Sequence, residues 1–210
     1  MIRYKVQKDP YDNDEILFCE KLTRTIEPGF TVLVGCNGSG KSTILRSIRD
    51  AYKRNKDYKV FSWDGLTDKS PMRQHMLDSS NFGLLASLAF SSEGEEINTN
   101  IGILASRIGN FVRKGEGRDV IILLDGLDSG FSIDNIVETK AFFKELLIPD
   151  IEKAGNKCYV IVPANEYELA RGELCIDART GKKVSFGSYE EYRDFILDSR
   201  KTKDSRRKEE

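Results

Sequence analysis

Apolar positions along this chain change their spacing from block to block, and the spacing predicts the elements. Ile2-Arg3-Tyr4-Lys5-Val6 alternates, and short stretches of the same kind follow at 16–19 and 22–26. With no helical spacing between them, these predict a small antiparallel sheet at the N-terminus. Glu27-Pro28-Gly29 is a turn. Phe30-Thr31-Val32-Leu33-Val34 then reads as a buried strand, being β-branched and apolar. Ile44, Leu45, Ile48 and Tyr52 recur at helical spacing and predict a helix from Lys41 that frays near Asn55. A strand over 58–63 follows and ends at Asp64-Gly65. Residues 65–80 are polar and irregular, and 82–90 is apolar enough for a helix.

In the second half, Ile97, Ile101, Leu104, Ile108 and Phe111 share one helical face. Val120-Ile121-Ile122-Leu123-Leu124 is uninterrupted, as expected of a strand covered on both faces, and it ends on Asp125. Ser132 can cap a helix bearing Ile133, Ile136, Val137, Phe143 and Leu147, expected to stop at Pro149. A further buried strand spans 158–162. Residues 174–186 predict a hairpin around Arg179-Thr180-Gly181-Lys182. A last helix is expected over 189–197, followed by a charged tail over 199–210 expected to be disordered. Strands alternating with helices give an α/β fold with a mainly parallel sheet, preceded by the small antiparallel one. Residues 1–198 would form one domain, with any ligand at the carboxyl ends of the strands.

Composition narrows the class without choosing a function. The 210 residues carry 33 basic and 34 acidic side chains, a formal net charge of -1, so overall charge points to neither nucleic acid nor membrane. No run approaches the ~18 apolar residues of a membrane span, and the N-terminus lacks a signal-peptide core. The four cysteines are widely spaced, with no CxxC and a single histidine, His75. That pattern suits reduced thiols in a cytoplasmic protein better than a zinc site or a disulfide framework.

Chemistry enters between the first buried strand and the helix after it. Gly35-Cys36-Asn37-Gly38-Ser39-Gly40-Lys41-Ser42-Thr43 fits the phosphate-loop pattern G-x-x-x-x-G-K-[ST] in full, in the strand-to-helix setting the pattern requires. Asn37, Gly38, Ser39, Gly40, Lys41, Ser42 and Thr43 are the candidate phosphate-binding residues. Glycines let the backbone turn its N–H groups toward phosphate oxygens, and the helix N-terminus adds positive field. Lys41 can reach the β- and γ-phosphates of ATP, and the Ser42 hydroxyl can ligate Mg²⁺. Asp125, at the end of a buried strand, is the candidate second metal residue.

Four segments together resemble an ATPase head of the ABC class, on the SMC- and RecF-like branch. These are the Asn-Gly-Ser-Gly-Lys-Ser-Thr loop, the Pro28-Gly29 entry into its strand, Ser91-Ser92-Glu93-Gly94-Glu95, and Leu124-Asp125-Gly126-Leu127-Asp128-Ser129-Gly130. The resemblance covers roughly 15–170 and is strongest to short "AAA family ATPase" proteins of phages and their hosts. It implies an ATP- and Mg²⁺-dependent hydrolase in which Ser92 and Gly94, as the signature element, complete the site of a second subunit. ATP would then bridge a head-to-tail homodimer, with DNA or a protein as a further candidate partner. Ser92 with Glu95 also spells a plain capping box.

The chain departs from that family at several points. Gly126 stands where a water-activating Glu is usual, so hydrolysis is expected to be slow. Asp128 is either a substitute catalytic group or a residue of the loop that touches the partner. No histidine follows the 158–162 strand, and Asn165 is the nearest group able to sense a γ-phosphate. The glutamine expected after the 58–63 strand has two stand-ins, Asp64 and Gln74. No heptads lie between the loop and the signature element, so no coiled-coil arm is expected. Tyr4, Tyr11 and Phe18 are candidates to stack on adenine. Cys36 lies within the loop, where a bulky thiol reagent is expected to block nucleotide binding. The alternatives to an ATPase are an ATP-gated dimer switch with little turnover and a P-loop phosphotransferase.

Overall fold

Ile121 and Leu123 belong to one buried cluster and Val120, Ile122 and Leu124 to another, all from a single strand. That double burial is why the run is apolar without alternation, and it sets the architecture: a sheet with a core on each face. A computed structural model describes residues 1–6, 23–65, 95–113, 117–128 and 131–206.

Within these residues β1 (Ile2–Lys5) and β2 (Thr23–Ile26) pair antiparallel as a separate two-stranded sheet. Then follow β3 (Gly29–Val34), α1 (Lys41–Tyr52), β4 (Tyr58–Asp64), α2 (Glu95–Arg113) and β5 (Asp119–Asp125). Next come α3 (Ile133–Ala141), a π-helical stretch (Phe142–Leu147) and α4 (Ile148–Lys153). The chain closes with β6 (Cys158–Pro163), α5 (Tyr167–Ala170), β7 (Cys175–Asp177), β8 (Lys183–Val184) and α6 (Tyr189–Arg206). The main sheet runs β4-β5-β6-β3-β7-β8, parallel except for the final β7–β8 pair. The α/β class, the mainly parallel sheet, the N-terminal antiparallel pair and the 174–186 hairpin are therefore all present.

The two cores divide the helices. Ile44, Leu45 and Ile48 of α1 pack with Ile2, Tyr4 and Ile26 of the small sheet against Leu33, Ile121, Leu123, Tyr159 and Ile161. On the other face Leu104 and Ile108 of α2, Ile136 of α3, Phe143 and Tyr192 of α6 cover Val32, Val34, Ile122, Leu124, Val160 and Val162. Tyr4 is 2% exposed, so its ring is core and offers no face to a base.

Two helix ends differ from expectation. Pro149 does not stop its helix; the chain passes from α3 through the π-helical stretch into α4, with the proline at its start. The π-helical stretch, in which the Ile148 N–H reaches back to the Phe143 carbonyl, widens the ladder where the proline has no N–H to donate and its ring needs room. Ser132 occupies the N-cap position of α3, but its hydroxyl pairs with the Asp134 carboxylate, which this bond holds below the usual carboxylate range. The second difference is α6, which runs on through the charged residues expected to be a disordered tail and ends at Arg206. Pairs one turn apart, Arg200 with Asp204 and Lys201 with Asp198, suit a helix there, each adding a few tenths of a kcal/mol. Residues 82–94, with Ser92 and Gly94, lie outside the described residues, as do Tyr11, Phe18, Gln74, His75, Ser129 and Gly130.

Candidate functional site

The loops that leave β3, β4, β5 and β6 gather at the carboxyl edge of the sheet, because those strands run parallel. The order puts β6 between β3 and β5. Backbone bonds knit the edge together: Ala164 N–H donates to the Leu33 carbonyl at 2.8 Å, and Gly65 N–H to the Asp125 carboxyl-end carbonyl at 2.9 Å.

The 35–40 loop closes β3 onto α1. Ser39 N–H donates to the Cys36 carbonyl at 3.1 Å, forming the tight turn. Gly38 at φ 75 and Gly40 at φ 90 hold the left-handed conformations that this turn needs. Gly40 is also the N-cap of α1, with no side chain capping it and no acidic residue in the first turn. The first-turn amides of Lys41, Ser42 and Thr43 lack intrahelical acceptors, so the helix end presents donors and a positive dipole to whatever binds. Lys41 is buried, at 8% exposure, and its Nζ donates to the carbonyls of Gly35 at 2.7 Å and Cys36 at 3.4 Å. Burial holds this ammonium below the usual lysine range, partly offset by the charges of Cys36, Asp128 and Asp125. Ser39 is 1% exposed and its hydroxyl has no hydrogen-bond partner. A buried, unpartnered hydroxyl beside a desolvated lysine fits a loop built to receive the oxygens of an anion. Asn37, Gly38 and Ser42 are exposed at the rim, and Cys36 is buried at 3% exposure, so a bulky reagent meets a covered thiol.

Asp125 ends β5 on the face that carries Ile121 and Leu123, the side occupied by α1. Its register partner on β4 is Asp64, so two carboxylates stand side by side on that face. Of the two, Asp125 is the one whose charge acts on Lys41. Among the described residues no group of three or more His, Cys, Asp and Glu side chains is poised around one point. A divalent ion here would therefore take one or two protein ligands, as Mg²⁺ does when phosphate and water supply the rest; Ser42 and Asp125 are the residues that would hold it.

Asp128 is 2% exposed and both oxygens of its carboxylate accept hydrogen bonds. It accepts from the backbone N–H of Asn165 and of Glu166 and from the Asn165 side-chain amide at 3.0 Å. Both oxygens are occupied, which makes Asp128 a joint between the β5 and β6 loops. Asn165, exposed at the end of β6, is thereby held in place. Between Asp125 and Asp128 the backbone turns at Gly126, whose φ is 66. That left-handed conformation gives glycine a structural reason to stand there, a reason that the sequence alone did not reveal. Spacing also did not reveal the contacts that α6 makes with the loop through Ser199 and Lys203. The available signal was the four-residue interval between those two residues, continuing the helical face of Tyr192.

No family model matches the chain. It is similar to the Lon protease of Bacillus thuringiensis (strain Al Hakam), with 26% identity over 166 residues. The match covers 79% of this chain but only 18% of that protein, so the chain spans under a fifth of its relative's length. Among the described residues no helix is long and apolar enough to cross a membrane.

Proposed function

We propose that this chain is an ATP- and Mg²⁺-binding ATPase domain of the ABC type, with slow turnover. The observation that carries the reading is the 35–40 loop: left-handed glycines, an uncapped α1 without acidic residues in its first turn, and a buried lysine at its base. Lys41 and the first-turn amides of α1 would hold the β- and γ-phosphates. To do so, the amine would exchange the Gly35 and Cys36 carbonyls for phosphate oxygens. Ser42 and Asp125 would hold the metal, which when bound neutralises charge on the phosphates. Asn165, fixed by Asp128, would be the group that senses the terminal phosphate. In this reading Asp128 acts by positioning, since both its oxygens already accept hydrogen bonds. The likeness to a Lon protease supports a nucleotide-driven reading in general, and carries no peptidase chemistry at 18% of that protein's length.

The test is ATP binding and phosphate release with Lys41→Ala as the control. Binding that falls at least roughly a hundredfold in the variant supports the reading. Binding unchanged in the variant, or absent from the natural chain, overturns it.

A second reading is favoured by Gly126. With no carboxylate directly after Asp125, and Asp128 held by Asn165 and Glu166, the chain would bind ATP and close into a homodimer while hydrolysing little. Ser92 and Gly94 would complete the site in that dimer. Sedimentation with ATP and Mg²⁺ distinguishes the outcomes: a dimer with ATP but not ADP, without phosphate release, supports the switch, whose candidate partner is DNA or a protein.

A further inference from the structure

One face of α6 carries Tyr192, Phe195, Ser199 and Lys203 at intervals of three or four. Its first half is anchored in the core. Tyr192 is 5% exposed, and its ring meets Phe186 at 5.2 Å and Tyr167 at 5.7 Å between centroids. Phe195 meets the same Phe186 at 5.3 Å. Its second half lies on the 35–40 loop. The buried Ser199 hydroxyl accepts a hydrogen bond from the Cys36 N–H at 3.3 Å. One turn further on, Lys203 Nζ donates to the Asn37 carbonyl at 2.9 Å. A Cβ built on Gly38 would lie 2.2 Å from that amine, so glycine at 38 leaves room for it as well as for the turn.

Four neighbouring charges of this helix segment pair with one another. Asp198 is taken by Lys201 and Asp204 by Arg200, both at 3.0 Å. Lys203 is directed to the loop. The result is that three successive carbonyls, at 35, 36 and 37, are met by two lysine amines, Lys41 from within and Lys203 from α6. Cations on the oxygen ends of successive peptides reinforce the dipoles whose N–H ends draw an anion.

We propose that Lys203 is a second lysine of the phosphate site, delivered to the loop by α6. It acts as a positioning charge through the loop, without replacing Lys41. The inference rests on the reading of the loop as a nucleotide-phosphate site. An amine a few ångströms outside that loop adds attraction that grows with phosphate charge and weakens with salt.

The experiment is calorimetric titration of the full chain with ATP, ADP and AMP, for the natural protein, Lys203→Met, Lys203→Arg and Lys41→Ala, at low and high salt. Lys203→Met is expected to weaken ATP binding roughly tenfold, ADP less and AMP least, with the difference shrinking at high salt. Lys203→Arg should restore most of the loss. ATP binding that is equal or tighter in Lys203→Met overturns the proposal, and so does an equal loss for all three nucleotides. If binding needs Lys41 but ignores Lys203, only this inference fails. If the natural chain binds no nucleotide, the functional reading fails with it.

Discussion

The two halves of the site are finished to different degrees. At the ends of β5 and β6, Asp128 is buried with both carboxylate oxygens accepting hydrogen bonds from Asn165 and Glu166. At the end of β3, Ser39 is buried with no partner, and Lys41 is desolvated against neutral carbonyls. The first half is a joint with a donor on each carboxylate oxygen. The second carries costs that a bound anion would relieve: an orphaned hydroxyl and a buried charge that, among the described residues, faces no formal counter-ion at contact distance. Substitutions in the first should therefore be read in stability, and substitutions in the second in binding.

The largest effect expected on folding comes from Asp128→Ala. It removes a charged acceptor from several donors at once, at a cost of about 3 kcal/mol. For a chain of this size that lowers the melting temperature by roughly 6–12 °C. Thermal unfolding followed by circular dichroism checks it. A variant that melts with the natural chain would break the comparison, because Asp128 would then be free for chemistry.

Much of this contrast could not be read from the chain, and the reason is physical. Where a segment's structure is dictated by its own pattern, the sequence was legible. The five-residue run from Val120, the loop before Lys41 and the hairpin around Thr180 each form as spacing and turn chemistry require. Where the outcome depends on a distant partner, it was not. Asp128 follows a turn, and nothing nearby in the sequence says that it will meet residues 165 and 166. The residues past Leu197 are polar and charged, and they look like a tail until Ser199 and Lys203 find the loop more than 160 positions earlier. Pro149 reads as a stop because the π-helical turn that admits it has no local signature. The four-strand carboxyl edge was implied by alternation of strands and helices, but not which loops would be joined to which.

Gly126 links the halves, and Gly126→Glu sharpens the comparison from both sides. At φ 66 a side chain is strained, so the variant should lose about 1–2 kcal/mol, or roughly 2–8 °C. It would also place a carboxylate next to Asp125, where a positioned general base typically contributes ~10²–10⁴-fold. Phosphate release that rises while stability falls would mean that the natural chain trades turnover for its turn and behaves as a switch. Gly126→Asn, which tolerates the left-handed region better, should recover most of the stability without any gain in turnover. Equal melting of the Glu and natural chains would remove strain as the reason for glycine here.

Ser39→Ala is the smallest change and the one that separates the halves most directly. Its hydroxyl is 1% exposed and has no partner, so folding strips it of water and gives nothing back. Deleting it should leave stability unchanged or raise it by about 1 kcal/mol, the opposite sign to Asp128→Ala. The same deletion should weaken ATP binding several-fold if the hydroxyl finds its partner among the phosphate oxygens. Melting curves taken with and without ATP read both quantities in one experiment, since a ligand that binds only the folded state raises its melting temperature. An alanine chain more stable alone but less stabilised by ATP would show that the loop holds its cost in reserve for a ligand. If it is less stable alone, Ser39 is structural, and the division between a finished joint and a waiting loop falls.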